Sequence, residues 1–144
     1  MFKVSAKLEY GLRAMILLGK NYNIERLSLS DIAHSEKISK EFLAQLMLDL
    51  RKANLVESYK GVTGGYSLTK HPKEITLKEI LEALEGPIQI IECIHETNLC
   101  EKQNLCLTKN IWEFVEMKIL DLFNEITLQD LITGNIRKEA NILL

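Results

Sequence analysis

Hydrophobic side chains recur at helical spacing between residues 28 and 52, and they predict two short helices joined by a turn. Ser30 and Ser39 can each begin a helix, because a serine hydroxyl accepts a hydrogen bond from an unpaired first-turn amide. The second helix has one apolar stripe, which consists of Phe42, Leu43, Leu46, Met47 and Leu50. The opposite face is predicted to be exposed and carries Lys40, Glu41, Ala44, Gln45 and Asp49. A helix with one buried side and small or amide side chains on the other can enter the major groove of DNA.

Two short extended segments follow this helix, separated by a glycine-rich run from Lys60 to Gly65. Glycine tolerates the positive φ angles of a tight reversal, so the pattern predicts a two-stranded hairpin and hence a winged helix-turn-helix. An alternative is that the two helices and the hairpin serve only as a packing unit. The lysines and arginines beside the hairpin favour DNA binding, with contacts expected from Ser39, Lys40, Glu41, Ala44, Gln45, Arg51, Lys60, Gly61, Thr63, Gly64 and Tyr66.

Four more helices are predicted, at residues 6–19, at residues 76–85, at residues 108–124 and, as a short helix, from Thr127 onward. Thr76 and Glu79 form a capping box for the second of these, which ends at Gly86 and Pro87. The long third helix has an apolar stripe that consists of Ile111, Val115, Ile119, Leu122 and Ile126. Such a helix at the end of a small domain predicts a homodimer, and two-fold symmetry suits palindromic DNA.

The predicted fold class is therefore mainly α with a small β hairpin. We expect a DNA-binding domain over residues 1–75 and a loop with the dimerisation helix over residues 76–133. Residues 134–144 are expected to form a flexible tail.

Charge is divided unevenly along the 144 residues, although the net charge is only −2. Residues 1–73 carry twelve lysines and arginines against seven acidic residues, whereas residues 74–144 carry six against thirteen. The basic half can therefore attract phosphate while the acidic half points away. No apolar run is long enough to span a membrane, and the charged N-terminus does not resemble a signal peptide, so a cytoplasmic location is expected. The chain has no dinucleotide, P-loop or nucleophile motif, so we do not expect an enzyme.

All three cysteines, Cys93, Cys100 and Cys106, lie in one polar segment that is predicted to be a loop. In a cytoplasmic protein this grouping indicates soft-metal binding or redox chemistry rather than structural disulfides. Three thiolates are one ligand short of a four-ligand site, and His95 is the nearest candidate for zinc. An iron–sulfur cluster could take its fourth ligand from elsewhere, including a partner subunit.

The chain resembles the IscR/NsrR/CymR type of bacterial winged-helix repressors (the Rrf-two family) over nearly its whole length. The resemblance rests on residues 10–15, 38–46 and 50–56, on residues 60–66, and on the three-cysteine segment. It implies a dimeric transcription regulator that acts as a repressor, with the helix at residues 108–124 as the dimer contact. It also implies that cysteine-bearing members hold a 2Fe-2S or 4Fe-4S cluster that senses iron–sulfur status, nitric oxide or redox state.

The resemblance leaves the fourth cluster ligand to be assigned. IscR-like members use a histidine three residues after the last cysteine, and that position here is Lys109. NsrR-like members use a carboxylate from the first helix of the other subunit, and the matching residue here is Glu9, with His95 as the alternative. A second interpretation is a winged-helix regulator whose cysteine thiols sense oxidation directly, without a cluster.

Overall fold

A computed structural model describes residues 3–95 and 106–136, and it contains the predicted helix-turn-helix and hairpin. The helices before the hairpin are α1 (Ala6–Lys20), α2 (Leu29–Glu36) and α3 (Lys40–Lys52). The hairpin strands are β1 (Val56–Tyr59) and β2 (Gly65–Leu68), followed by a 3-10 turn at Pro72–Glu74. The remaining helices are α4 (Leu77–Glu85), α5 (Glu92–His95), α6 (Leu107–Glu125) and α7 (Leu128–Thr133). The predicted fold class, mainly helical with a small hairpin, is confirmed.

The hairpin, or wing, is antiparallel, with Val56 opposite Leu68 and Tyr59 opposite Gly65. Its base is buried, because Val56 and Leu68 pack into the core and Leu27 forms a bridge with Tyr66. Gly65 has a φ of +134°, and a Cβ there would lie 2.7 Å from the Leu27 carbonyl oxygen. Only glycine therefore lets the second strand lie this close to the chain that leads into α2.

The hydrophobic core is formed by α1 and α3 together with residues of α2, the hairpin, α4 and α7. The apolar stripe predicted for α3 is buried at Leu43, Leu46, Met47 and Leu50, where it meets Met15 of α1. Helix α4 lies close to α1 at Gly11, where a Cβ would come 2.3 Å from a methyl carbon of Leu84. The packing of α3 thus follows from the helical spacing of its apolar residues.

Helix α2 begins earlier than predicted, because Ser28 and not Ser30 is its N-cap. The Ser28 hydroxyl accepts from the Asp31 amide at 3.0 Å, and the Asp31 carboxylate accepts from the Ser28 amide at 3.3 Å. The bridge between Leu27 and Tyr66 keeps the chain extended up to Ser28, so the first available cap is taken.

Helices from the C-terminal part of the chain pack against the N-terminal helices. Ile80 and Leu84 of α4 and Leu128 of α7 lie in the same core as α1 and α3, while α6 packs on α4. The domain boundary at residue 75 stays a prediction. The cysteine segment was predicted to be a loop, but residues 92–95 form the one-turn helix α5. The predicted tail begins at Gly134, the αL residue that ends α7, and residues 137–144 of it lie outside the described residues.

Candidate nucleic-acid interface and cysteine segment

One face of the first two turns of α3 is exposed to solvent. Ser39 caps it as predicted, since its hydroxyl accepts from the Phe42 amide at 3.2 Å. Phe42 faces inward and meets the edge of the Tyr10 ring, with centroids 6.1 Å apart, so α1 sets the position of this end of α3. On the opposite face of these turns, Lys40, Glu41, Ala44 and Gln45 are exposed. They form the reading surface, the name used below for these four side chains.

Asp49, predicted to be an exposed residue of α3, is only 17% exposed. Lys7 of α1 places its Nζ 2.7 Å from Asp49 Oδ2, and this contact is an ion pair rather than an aligned hydrogen bond. The other oxygen, Oδ1, accepts from the Gln45 amide at 3.4 Å. Asp49 therefore connects α1 to the reading surface, a role that its place on the polar face of α3 did not indicate.

The tip of the wing is exposed at Lys60, Gly61 and Thr63. The Gly64 amide donates to the Gly61 carbonyl at 3.0 Å, which closes the turn. A Cβ at Gly64 would lie 2.3 Å from the Tyr59 carbonyl oxygen, so this turn needs glycine for space. A narrow tip with one lysine can approach a phosphate backbone or a minor groove.

Arg26 joins the body of the domain to the wing, a role that no pattern in the sequence indicated. Its guanidinium carbon lies 3.4 Å from the centre of the Tyr59 ring, and Nη1 donates to the Thr63 carbonyl at 3.4 Å. The Tyr59 hydroxyl donates to the Glu57 carboxylate, which raises the pKa of Tyr59. A guanidinium stacked on a ring is a favourable cation–π arrangement, so Arg26 holds the wing against the segment before α2.

The other two predicted DNA contacts have different surroundings. Tyr66 is half-buried and packs against the core, while its backbone pairs with Leu27. Arg51 is exposed on the last turn of α3, beside the outer face of β1. Arg51 therefore lies outside the hairpin, beside β1, whereas Tyr66 lies within the hairpin ladder opposite Ser58.

The predicted metal ligands fall partly outside the described residues. Cys106 is the N-cap residue of α6, and Cys93 lies in α5, which packs against α6. Cys100 lies outside the described residues. The Thr108 hydroxyl is 3.2 Å from Cys106 Sγ, and this hydrogen bond lowers the pKa of the Cys106 thiol, which favours the thiolate.

Glu9 is exposed on the first turn of α1. Its Oε1 accepts from Arg13 Nε at 3.0 Å, and this bond raises the pKa of Arg13. Glu9 also borders an open, mostly apolar cavity of about 490 Å³ between α1, α4 and α6. Among residues 3–95 and 106–136, no group of three or more histidine, cysteine and acidic side chains is placed to hold a metal ion.

Lys109, at the position of the histidine ligand in IscR-like members, forms an ion pair with Glu113 at 3.7 Å. His95 lies in α5. Glu116 is buried on α6 and accepts a hydrogen bond from the Ile90 amide at 3.1 Å, which fixes the chain just before the cysteine segment against α6.

The other side of α6 is exposed and apolar. Ile111 and Phe114 are each 51% exposed and Leu122 is 50% exposed, while Val115 and Ile119 are half-buried. The predicted stripe is therefore divided, with one edge directed to solvent and the other toward the protein. An apolar helical face of this length is typical of a surface that contacts a partner.

The sequence profile of the Rrf2 family, described as iron-dependent transcriptional regulators, matches residues 4–134. The chain belongs to the Rrf2 family. The resemblance stated from the sequence is thereby confirmed, and the fold and the exposed reading surface agree with it.

Three Rrf2 relatives are similar to nearly equal degrees. The regulator NsrR of Bacillus licheniformis is 32% identical, covering 94% of this chain and 97% of its own. IscR of T. potens has a structure with a TM-score of 0.74 and 33% identity, over 95% of this chain and 90% of its own. The oxidized form of Staphylococcus aureus CymR has a TM-score of 0.71 and 33% identity, over 91% and 96%. Because the chain is about equally similar to NsrR, IscR and CymR, these similarities do not distinguish cluster sensing from thiol sensing.

The relatives are named as transcriptional regulators and not as enzymes, which agrees with the expectation from the sequence motifs. In the part of the chain that the structure describes, no helix combines the length and apolar character needed to cross a bilayer.

Proposed function

We propose that the protein is a homodimeric transcription repressor that senses an iron–sulfur cluster and binds palindromic DNA in the cytoplasm. The observation that carries the proposal is the grouping of all three cysteines in one segment of the sequence, residues 93–106, which ends at the N-cap residue of α6. Cys106 begins α6, and Cys93 lies in α5, which packs against it. The exposed apolar face of the same helix supports its use as the dimer contact, so sensing and dimerisation share one element.

The donor set fits an iron–sulfur cluster. Thiolates are the soft ligands that such clusters require, and Cys93, Cys100 and Cys106 would supply three of them. Glu9 of a partner subunit would supply the fourth, because its carboxylate is exposed and borders an open cavity. When bound, the cluster supplies a reversible response to iron–sulfur status, nitric oxide or redox state. The ion pair of Lys109 with Glu113 supports the choice of Glu9 over an IscR-like ligand position.

DNA binding is supported by charge and exposure together. The basic half of the chain contains α3 and the wing, and the reading surface and Lys60 are exposed on them. We propose that the α3 side chains contact base edges and that the wing contacts phosphates, with further contacts from Arg51 beside β1 and from Tyr66 in β2.

A second candidate function is direct sensing of oxidation by the thiols. It is favoured by the partly exposed Cys106, beside a hydroxyl that stabilises its thiolate, and by the likeness to an oxidized CymR. Iron and sulfide analysis after anaerobic purification distinguishes the two candidates, because direct thiol sensing requires neither.

Gln45→Ala and Lys60→Ala should have different effects on DNA binding. Gln45 can bond a base edge, so its loss should remove base discrimination of about 5- to 150-fold at one position, equivalent to about 1–3 kcal/mol. Lys60 should contact phosphate, so its loss should weaken all duplexes alike and reduce the slope of log affinity against log salt by about 1. Fluorescence anisotropy on selected and random duplexes, over a range of salt concentrations, measures both.

Lys78→Met is the matched control for Lys60→Ala, because it removes a positive charge on α4, away from the wing. It should leave the salt slope within error of the parent. Parent-like binding by both Gln45→Ala and Lys60→Ala would show that DNA contacts another surface.

A further inference from the structure

Lys7, Asp49 and Gln45 form a continuous chain of contacts from α1 to the reading surface. Asp49 is acidic, lies on the DNA-facing helix and is mostly withdrawn from solvent. A carboxylate in that place would repel phosphate unless a cation neutralised it. Lys7 provides the cation from a different helix, at 2.7 Å. The charge is therefore tolerated close to DNA while one of its oxygens stays available to Gln45.

Asp49 also restricts the orientation of the Gln45 amide. An ionised carboxylate only accepts hydrogen bonds, so the Gln45 group at 3.4 Å from Oδ1 must be the NH₂ and not the oxygen. This bond uses one of the two N–H groups. The second N–H and Oε1 remain for a base edge, and that donor and acceptor pair matches N7 and N6 of adenine in the major groove.

We propose that Asp49 is a positioning residue that determines specificity: held by Lys7, it orients the amide of Gln45 so that α3 reads an adenine. The proposal rests on the proposed DNA-binding function. Spacing supports it, because residues four apart on a helix lie side by side, and Gln–Asp pairs at this spacing are favourable. Lys7 adds rigidity, because its contact with Oδ2 holds the Asp49 carboxylate in place and so gives Gln45 a fixed acceptor at Oδ1.

The test is a double-mutant cycle read as base discrimination. The parent protein first selects a duplex from a random library, and each base pair of that duplex is then substituted in turn. Affinities are measured for the parent, Asp49→Ala, Gln45→Ala and the double variant. We expect Gln45→Ala to remove discrimination at one adenine per half-site, and Asp49→Ala to lower it at least threefold at that same position. The double variant should equal Gln45→Ala, because Asp49 acts through Gln45.

Two further variants separate positioning from general damage to the helix. Asp49→Asn keeps a carbonyl oxygen that can accept from Gln45 but loses the ion pair with Lys7, so its discrimination should fall between that of Asp49→Ala and that of the parent. Lys70→Met breaks an ion pair of 3.0 Å to Glu79 away from the reading surface, and it should leave discrimination unchanged.

Either of two results would overturn the proposal. The first is an Asp49→Ala protein that discriminates at the Gln45 position as the parent does, and the second is a double variant that loses discrimination beyond that of Gln45→Ala. A parent that selects no sequence from the library would instead refute the DNA-reading function itself, and the positioning role with it.

Discussion

The Cys106→Ala protein is expected to retain no iron or sulfide after anaerobic reconstitution, and its visible absorption should be lost. Cys93→Ala and Cys100→Ala should behave in the same way. Each removes one of the three thiolate ligands, and the sequence contains no other cysteine that could replace it. Cys106 is the N-cap of α6 without a capping hydrogen bond from its side chain, so its loss should not unfold the helix. Far-UV circular dichroism checks this point.

Glu9→Ala should have a weaker effect that identifies the fourth ligand. A carboxylate is a harder and more displaceable ligand than a thiolate, so we expect a cluster that still forms. In air, the Glu9→Ala protein should lose its cluster at least about tenfold faster than the parent does. Changes to the groups around a bound metal typically have effects of this order. Arg13→Ala is the matched control, because it breaks the same 3.0 Å contact but leaves the carboxylate in place.

Lys109→His can then be added to Glu9→Ala. The resemblance to IscR-like members implies that a histidine at this position serves as a ligand, so the double variant should regain a stable cluster. His95→Ala should change little. Parent-like stability of Glu9→Ala, together with loss of the cluster in His95→Ala, would transfer the assignment to His95.

Leu122→Glu is expected to convert the dimer into a folded monomer. Leu122 is half exposed in the single chain, so the substitution adds little strain there, but in a dimer through α6 it would bury a carboxylate without a partner. An uncompensated buried charge costs about 3–5 kcal/mol, which corresponds to at least a hundredfold weaker association. Sedimentation at micromolar concentration measures the change.

Asn124→Glu is the matched control for the dimer contact. It adds the same charge to the same helix at another exposed position, on the side away from Ile111 and Leu122. It should remain dimeric. A Leu122→Glu protein that sediments as a dimer would place the interface on a different surface.

Local periodicity was sufficient to predict much of this fold. Ser39, the stripe of α3 and the capping box at Thr76 depend on residues a few positions apart, and each was correctly predicted. The glycines of the wing were also informative, because Gly64 and Gly65 have close backbone neighbours that exclude a side chain. These are features that short-range sterics and hydrogen bonding determine.

Contacts between distant segments were not predictable in the same way. The cap of α2 is Ser28 because Leu27 pairs with a residue of the wing, and no local pattern encodes that bridge. Lys7 reaches Asp49, and Arg26 reaches Tyr59, only after the helices have packed. The four-residue spacing of Gln45 and Asp49 was visible in the sequence. The contact of Lys7 with Asp49 was not, because the two residues lie on different helices.

The central claim, that the cysteine segment holds a cluster which controls DNA binding, is tested most directly on the parent protein purified without oxygen. Iron and acid-labile sulfide are measured together with the visible spectrum, and the same sample is titrated with its selected duplex before and after cluster removal. We predict iron and sulfide in equal amounts, a coloured protein, and DNA affinities that differ between the two forms. A colourless protein that contains zinc or no metal, or one whose two forms bind DNA equally, would contradict the claim.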